Sequence, residues 1–243
     1  MVRIAIQKSG RLNQSSLALL KSCGISIDNG KDQLKANAKN FPMEVFYLRN
    51  GDIPQYMRDG VVDLAIIGEN LLTEKGKNLE VIEQLGFSRC KVSIAVPKNT
   101  KFNDVKDLEG KRIATSYPNT VKAFLEANQI KADLHIINGS VEIAPNIGLA
   151  DAICDIVSSG STLFKNNLKE VIEISRSQAV LVQAPHVSEE TKETIKKLRF
   201  RIQSVLRAKK SKYILLNVPN NKIKAVSSIL PVLKSPTILP LAQ

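Results

Sequence analysis

The feature that most constrains the fold is an alternation of short β-rich runs with helical stretches. Val2–Gln7 is strand-like, Leu12–Cys23 is helical with its leucines on one side, and Val45–Leu48 and Val62–Ile67 are strand-like again. Strands that are separated by helices usually lie parallel and are joined by crossover connections. The sequence therefore predicts an α/β fold with parallel sheets, and we find no internal repeat in it. The other predicted strands are Val92–Val96, Arg112–Ser116, Leu134–Ile137, Ile153–Val157 and Ala179–Val182.

Two helices carry clear start signals. A short helix is predicted over Asp52–Gly60, with Asp52 as its cap and Pro54 in its first turn. A long amphipathic helix is predicted over Ser188–Lys210, with Ser188 as its cap. Its other face is basic, which is typical of a solvated surface but also compatible with nucleic-acid binding.

The last segment is predicted to be one β-α-β unit. Tyr213–Val218 and Thr237–Leu241 are strand-like, and Asn221–Leu230 is helical.

Composition and charge narrow the classes of function. Lys and Arg total 35 against 23 Asp and Glu, a net charge of +12 that favours anionic partners. Aromatic residues are 5% with no Trp, which argues against a base-stacking single-strand binder. Three scattered cysteines and two histidines offer neither a disulfide framework nor a Cys/His metal centre. The N-terminus does not look like a signal peptide, and no apolar run has membrane length, so we expect a cytoplasmic protein.

The strongest local signal for chemistry follows the strand Ile153–Val157. The loop Ser158-Ser159-Gly160-Ser161-Thr162 offers four hydroxyl groups and backbone N–H groups, and a helix is predicted to begin near Leu163. Such a loop can hold a phosphate, although an ordinary helix start would also explain it. Asp155, just before the loop, could accept hydrogen bonds from two sugar hydroxyls. The chain has no Walker or dinucleotide-binding motif, which disfavours those two classes.

Polar loops also follow the other predicted strands, and ligands of open α/β sheets bind at such strand ends. Basic side chains there could receive a polyanion, although each alone could be an ordinary surface charge. No nucleophile–base pair is evident, because Cys154 and His135 both lie in apolar runs. The polar residues at these strand ends include Lys8, Arg11, Arg49, Glu69, Asn70, Ser116, Tyr117 and Glu142.

In these motifs the chain resembles the ATP phosphoribosyltransferase family along nearly its whole length. The family signature has a glutamate, a glycine six residues later, then Asp-Ile and Ser-Gly-x-Thr, which Glu142, Gly148, Asp155-Ile156 and Ser159–Thr162 match. The other matching segments are Gln7–Leu12, Asp59–Asp63, Ile67–Asn70, Gly110–Pro118, Asn138–Glu142 and Gly148–Ile156.

The resemblance implies an α/β catalytic unit of two lobes, like type II periplasmic binding proteins, with the active site between them. Lobe I would be residues 1–93 with 180–210, and lobe II, which carries the loop for phosphoribosyl pyrophosphate, would be 94–179. Residues 211–243 would be an incomplete, ferredoxin-like regulatory domain. The implied reaction transfers the 5-phosphoribosyl group from phosphoribosyl pyrophosphate to N1 of ATP and releases pyrophosphate, the first step of histidine biosynthesis.

The resemblance also implies roles for the candidate residues. Ser158, Ser159, Gly160, Ser161 and Thr162 would hold the 5-phosphate, Asp155 the ribose hydroxyls, and Glu142 would lie near the ribose or its magnesium. Lys8, Arg11 and Arg49 would be catalytic cations that face the nucleotide or pyrophosphate. Mg²⁺ would bind mainly through substrate phosphates. The remaining residues of the ATP side or cleft would be Glu69, Asn70, Arg89, Ser116 and Tyr117.

The last segment matches only the start of the histidine-binding domain of long-form family members. On that basis we expect a homodimer where a complete form would be a hexamer, and loss of most feedback inhibition by histidine. No nucleic-acid or membrane partner is expected. Two alternatives remain open: a solute-binding module of the same fold, and a basic nucleic-acid-binding protein.

Overall fold

The computed structural model describes residues 1–28, 33–76, 78–230 and 237–240. The chain divides into two compact units, Met1–Leu206 and Arg207–Gln243. The strands are β1 Val2–Gln7, β2 Lys35–Asn37, β3 Met43–Leu48, β4 Leu64–Gly68, β5 Glu80–Gln84, β6 Cys90–Pro97, β7 Arg112–Thr115, β8 Asp133–Ile136, β9 Ala152–Val157, β10 Leu168–Ser177 and β11 Ala179–Gln183. The α-helices are α1 Arg11–Ser22, α2 Ile53–Arg58, α3 Glu69–Lys75, α4 Pro118–Ala127, α5 Ser161–Lys165, α6 Glu189–Lys210 and α7 Ile223–Ile229.

The first sheet has the strand order β2-β3-β1-β4-β11-β5. Its centre is parallel: β1 pairs with β3 and with β4, and the side chains of β1 and β4 are buried on both faces. One face packs against α1 and α6 through residues such as Leu19, Leu20, Leu198 and Ile202. The other face packs against α2 and α3. Apolar strands covered on both sides are typical of parallel sheets, as the sequence predicted.

The second sheet has the order β10-β6-β9-β7-β8. Here β7 lies parallel to β8 and β9, while β6 is antiparallel to β9 and β10. Val121 and Leu125 of α4 pack on one face, and residues before and after β9 pack on the other. The chain is thus a two-lobed α/β protein with two mixed sheets, not the purely parallel sheets that the alternation predicted.

The sheets are mixed because the chain passes between them twice. It leaves the first sheet after β5 and enters the second at Cys90, so residues 85–89 form one crossover. It returns after Ser177, and a single residue, Gln178, separates β10 from β11. After this tight return β11 runs antiparallel to β4, with Ala179 opposite Gly68. The strand that enters each lobe from the other, β6 in the second and β11 in the first, therefore runs antiparallel to the parallel set.

In both lobes, an arginine on one parallel strand is bound by an aspartate just before a neighbouring parallel strand. Asp63 accepts hydrogen bonds from the Arg3 backbone N–H at 2.8 Å and from its Nη2 at 2.8 Å, and Arg3 also donates to the Gly60 carbonyl. Arg112 and Asp151 repeat these contacts at 3.0 and 2.8 Å, with Gly148 in place of Gly60. The shared Gly-x-x-Asp is too short to stand out in a single sequence.

Several predicted elements have different bounds. Asp52 holds the predicted N-cap position of α2, but its side chain makes no capping hydrogen bond, and a 3₁₀ turn, Asn50–Asp52, leads into the helix. Ser188 does cap α6, because the Thr191 N–H donates to its Oγ at 3.3 Å. Helix α5 starts at Ser161, before the predicted Leu163.

The predicted C-terminal β-α-β unit is only partly present. Helix α7 occupies most of the predicted Asn221–Leu230. No strand forms in the described residues 211–230 and 237–240, so the strands Tyr213–Val218 and Thr237–Leu241 were wrong, although Leu241 itself lies outside the described residues. A strand needs a hydrogen-bonded neighbour, and none of the described residues of this unit provides one.

The Arg112–Asp151 pair predicts an acid-sensitive contribution to stability. Hydrogen bonds from Arg112 lower the pKa of Asp151 from 3.8 to about 2. Because the folded-state pKa lies below the ordinary value, the ionised carboxylate stabilises the fold above about pH 4, and this contribution is lost as the pH falls towards 2. We expect the difference in unfolding free energy between the wild type and Asp151→Asn to be largest near neutral pH and to shrink below about pH 4. Urea unfolding across this pH range measures it.

The matched control is Glu193→Gln, which removes an exposed ion pair with Lys196 on α6. Exposed pairs of this kind contribute little, so this variant should track the wild type at every pH. A wild-type minus Asp151→Asn difference that stays constant with pH would contradict the prediction.

Candidate functional site

The two crossovers bring the carboxyl ends of the parallel strands of both lobes together. In the first sheet, Gly68 at the end of β4 lies opposite Ala179, which follows the return crossover. In the second sheet, Val157 at the end of β9 lies opposite Lys91, which follows the outgoing crossover. Gly68 therefore lies beside the return connection and Val157 beside the outgoing one, and the two connections are joined side by side by a hydrogen bond from the Ala179 N–H to the Phe87 carbonyl at 2.9 Å. Glu69 and Asn70 directly follow β4 and Ser158–Thr162 directly follow β9, so candidate residues of both lobes lie beside the paired connections.

Loops after β1 and β3 place basic side chains side by side. Gln7 and Leu48 are in register, and the Lys8 N–H donates to the Leu48 carbonyl at 2.8 Å. Lys8 and Arg49 thus follow adjacent strands, and Arg11 begins α1. All three side chains are exposed, and within the described part of the chain none forms an ion pair or side-chain hydrogen bond. These cations are available to an anionic ligand.

The serine-rich loop after β9 turns sharply at Gly160 and leads directly into α5. Gly160 has φ 73°, a left-handed conformation that residues with a Cβ rarely adopt. This turn brings the hydroxyls of Ser159 and Ser161 to 3.1 Å from each other. Ser158, Ser159, Ser161 and Thr162 are exposed, so their hydroxyls are accessible.

Asp155 lies at the base of this loop, half-buried within β9. Burial raises its pKa, the Ile156 backbone N–H that donates to its Oδ1 at 2.7 Å lowers it, and the nearby charge of Glu142 raises it further. Glu142 belongs to a 3₁₀ turn, Val141–Ile143, that follows Ser140 in a left-handed conformation. The structure therefore brings the two predicted carboxylates together.

A hydrogen-bonded chain joins the lobes beside Asp155. Asn70, buried in α3, donates from its Nδ2 to the Tyr117 hydroxyl at 3.3 Å. Its own N–H and Oδ1 are both held by the Ser177 hydroxyl, each at 2.9 Å. Burial and the charge of Asp155 raise the pKa of Tyr117, so the phenol stays protonated at neutral pH. Ser116 donates to the Ile137 carbonyl at 2.5 Å and so fixes the loop after β8.

Other candidates have less support. Arg89 and Glu69 have no side-chain hydrogen bond or ion pair to the described residues, and only the position of their loops relates them to the site. Burial raises the pKa of Cys154 to about 12, which fits its interpretation as a core residue. Sequence analysis missed Ser177 and Glu74, both buried between the lobes. A serine at a strand end and a glutamate in a short helix carry no distinctive pattern.

Cavities, metal-binding clusters and membrane-spanning helices were considered as further features of the described residues. Two shallow cavities of about 420 and 370 Å³ lie along α4 and along β2, outside the candidate site. No cluster of three or more His, Cys, Asp or Glu side chains that could hold a metal ion occurs among the described residues. The same residues contain no helix that is long and apolar enough to cross a membrane.

Comparison with known proteins identifies the family. A family model described as ATP phosphoribosyltransferase matches residues 49–204, and one described as the C-terminal domain of the same enzyme matches residues 208–243. An ATP phosphoribosyltransferase of Cytophaga hutchinsonii is 54% identical over 243 residues, which cover 100% of this chain and 85% of that protein. One from Bacteroides fragilis is 48% identical, covering 100% and 86%.

Solved structures agree with these sequence matches. The ATP phosphoribosyl transferase (HisG:HisZ) complex from Thermotoga maritima contains a chain with a TM-score of 0.73 and 31% identity, covering 86% of this chain and 100% of that one. The substrate-binding protein of an amino acid ABC transporter has a TM-score of 0.57 at 14% identity, covering 85% and 93%, which shows a shared fold alone. The chain therefore belongs to the ATP phosphoribosyltransferase family, whose enzymes catalyse the first step of histidine biosynthesis.

Proposed function

We propose that the family reaction takes place where the strand ends of the two lobes meet at the crossovers. In that reaction the 5-phosphoribosyl group moves from phosphoribosyl pyrophosphate to N1 of ATP. The observation that carries the proposal is that a glycine turn with exposed hydroxyls, a half-buried carboxylate and cations that pair with no described residue all follow the carboxyl ends of parallel strands. Lobe I would comprise residues 1–93 with 180–210, and lobe II residues 94–179. The strands differ from these bounds by a few residues, since Cys90–Ser93 belong to the second sheet and Ala179 to the first.

Lobe II would bind the phosphoribosyl half. The hydroxyls and N–H groups of Ser158–Thr162 would donate to the 5-phosphate, with Gly160 giving the turn its shape. Asp155 would accept hydrogen bonds from the ribose hydroxyls, and its half-buried position suits a neutral partner that satisfies the carboxylate without a strong positive charge.

Lobe I would bind the polyphosphates. Lys8, Arg11 and Arg49 are exposed and unpaired with the described residues, so they would not have to break an internal ion pair to reach a phosphate. Asn70 and Tyr117 would line the nucleotide side, together with Glu69, Ser116 and Arg89. Charge-assisted contacts of this kind are about twice as strong as neutral hydrogen bonds.

The chemistry needs positioning and charge stabilisation more than an activated nucleophile. The lone pair of adenine N1 forms the new bond to ribose C1, and the C1–O bond breaks with its electron pair leaving on pyrophosphate. Positive charge develops on the ribose and negative charge on the leaving group. Cationic side chains held near the pyrophosphate would stabilise that negative charge, and the phosphate loop would fix the ribose in line for attack.

Mg²⁺ is part of the proposal through the substrates. Magnesium usually binds one or two carboxylates together with substrate phosphates. The proximity of Glu142 and Asp155, which raises the pKa of Asp155, fits this habit. When bound, Mg²⁺ would neutralise part of the pyrophosphate charge, with Glu142 as the side chain best placed to hold it.

The two alternative functions, solute binding and nucleic-acid binding, have less support than the family reaction. A pure solute-binding module shares the fold, but the similarity to transport proteins is at 14–16% identity and concerns architecture alone. The basic face of α6 is partly engaged in ion pairs along its own helix, Lys192 with Glu189 and Lys196 with Glu193. That pairing favours a solvated surface over a nucleic-acid interface.

The phosphate loop predicts a selective effect at Gly160. An alanine there would be strained at φ 73°, at a cost of about 1 kcal/mol, and would distort the turn that presents the N–H groups. We expect Gly160→Ala to raise KM for phosphoribosyl pyrophosphate about tenfold or more, with little change in KM for ATP. Steady-state kinetics with each substrate varied in turn measures this.

Gly110→Ala is the matched control. Gly110 has φ 67° and also has no atom within 4 Å of the position a Cβ would take. It lies just before the amino end of β7, away from the carboxyl strand ends of the site. It should lose similar stability and keep both KM values. If the two variants have equal kinetic effects, the loop Ser158–Thr162 is not part of the phosphoribosyl pyrophosphate site.

The unpaired cations predict an electrostatic effect at Arg11. If its guanidinium contacts a phosphate, Arg11→Ala loses roughly 1.5–3 kcal/mol, about ten- to a hundredfold in kcat/KM. Arg199→Ala is the control, because Arg199 is also a partly exposed arginine and pairs with Glu83 outside the site. That variant should stay within about twofold of the wild type. An Arg11→Ala enzyme that behaves like the control would show that Arg11 is only a solvated charge.

A further inference from the structure

Glu74 is a buried carboxylate that the proposed reaction does not use. It lies in α3 of the first lobe and is 4% exposed. Its Oε1 accepts a hydrogen bond from the Asn119 N–H at 3.0 Å. Its Oε2 accepts from the Thr120 N–H at 2.9 Å and from the Thr120 hydroxyl at 2.8 Å. All three donors belong to the first turn of α4, in the second lobe.

These contacts make Glu74 the N-terminal cap of a helix in the other lobe. The first N–H groups of a helix lack partners within it, and a nearby side chain normally accepts from them. The residue at the cap position of α4 is Tyr117, whose side chain makes no capping hydrogen bond. Glu74 fills that place from 43 or more positions away in the sequence, and its negative charge suits the positive end of the helix.

The same helix α3 also holds the side chain of Tyr117, through Asn70. Asn70 stands one turn before Glu74, so both point from one face of α3 towards the second lobe. Asn70 donates to the Tyr117 hydroxyl, and Glu74 grips the two residues after Pro118. Tyr117 is therefore held at its hydroxyl and at the helix that begins beside it, both from α3. Asn119 adds a fourth bond, from its Nδ2 to the Glu74 carbonyl at 3.0 Å.

We propose that Glu74 is a positioning residue for the nucleotide side of the site. By capping α4 from the opposite lobe it fixes Tyr117 against Asn70, and so sets the surface that ATP meets. This rests on the proposed placement of Tyr117 and Asn70 on the nucleotide side. Glu74 touches neither substrate, and its effect passes through the first turn of α4.

The kinetic test separates positioning from general support of the fold. Glu74→Ala leaves the Asn119 and Thr120 N–H groups without an acceptor and lets the first turn of α4 move. Tyr117 would contact ATP in the ground state and the transition state alike, so KM for ATP should rise about tenfold or more with kcat within about threefold. KM for phosphoribosyl pyrophosphate should change little. Glu74→Gln keeps one acceptor oxygen at the same reach and should recover most of the ATP affinity.

Asp151→Asn is the matched control for lost stability. It removes a carboxylate that also accepts backbone and side-chain hydrogen bonds, but the donors all belong to Arg112, in the same lobe as Asp151. It should lower the melting temperature and leave both KM values unchanged.

A spectroscopic measurement tests the positioning without catalysis. The chain has four tyrosines, so ¹⁹F NMR of protein labelled with 3-fluorotyrosine gives few resonances, and Tyr117→Phe assigns that of Tyr117. In the absence of substrates, Glu74→Ala should shift or broaden the Tyr117 resonance, while Glu74→Gln and Asp151→Asn leave it near its wild-type position. If Glu74→Ala does not fold, Glu74→Gln and Thr120→Val, which removes one of the three donors, are compared on both measurements.

The outcomes separate this inference from the proposed function. If Tyr117→Phe leaves KM for ATP unchanged while Glu74→Ala still moves the Tyr117 resonance, the nucleotide role of Tyr117 fails and positioning by Glu74 stands. If Glu74→Ala, or the two fallback variants, lower only the melting temperature and leave KM for ATP and the Tyr117 resonance unchanged, Glu74 has a structural role alone and the inference is overturned.

Discussion

The site depends on the two crossovers, because they determine which strand ends meet. With Cys90 opposite Ser177 in the second sheet and Ala179 opposite Gly68 in the first, the return strand passes directly from one sheet to the other. This connection leaves one residue, Gln178, between the two lobes on that side. The carboxyl end of β4 lies beside this connection, and the carboxyl end of β9 lies beside the outgoing crossover that is hydrogen-bonded to it. A loop-rich, polar edge from each lobe is thereby brought to one place, although the residues involved are scattered over most of the first 162 positions.

Much of this architecture was predictable from local patterns, and the rest required knowledge of pairing. The buried strands β1, β4, β9 and β11 were predicted within two residues, because continuous apolar runs signal strands that are covered on both faces. Strand β10, Leu168–Ser177, was missed because charged residues interrupt its apolar residues at irregular spacing. Those charges are held by partners on β6, such as Lys91 with Glu170 at 2.6 Å, which no local pattern reveals. The direction of β6, β10 and β11 is likewise a matter of tertiary pairing.

For the site, the sequence indicated the residues that would carry charge or hydroxyls but not those that hold them in place. Gly160, Asp155 and the cations could be found because glycine turns and polar strand ends have a recognisable pattern. Ser177 and Glu74, which the sequence did not indicate, and the predicted residue Asn70 all make contacts 45 to 107 positions apart. Such contacts become visible only once the lobes are assembled. The same distinction separates the arginines: Arg3 and Arg112 are bound to aspartates and support the fold, whereas Arg11 and Arg49 remain unpaired among the described residues.

The two helices that follow β7 and β9 show how the second lobe restricts where an anion can bind. The first turn of α4 is already occupied by the carboxylate of Glu74, so its N–H groups are satisfied without a ligand. Helix α5 has five residues, and a helix that short has only a small dipole. In the proposed function, phosphate affinity at that end would therefore come from individual N–H groups and hydroxyls in the turn at Gly160. Because such contacts are short-ranged, the position of the phosphate would depend on loop geometry rather than on a long-range field, which suits a reaction that requires the ribose carbon to be placed in line with its attacker.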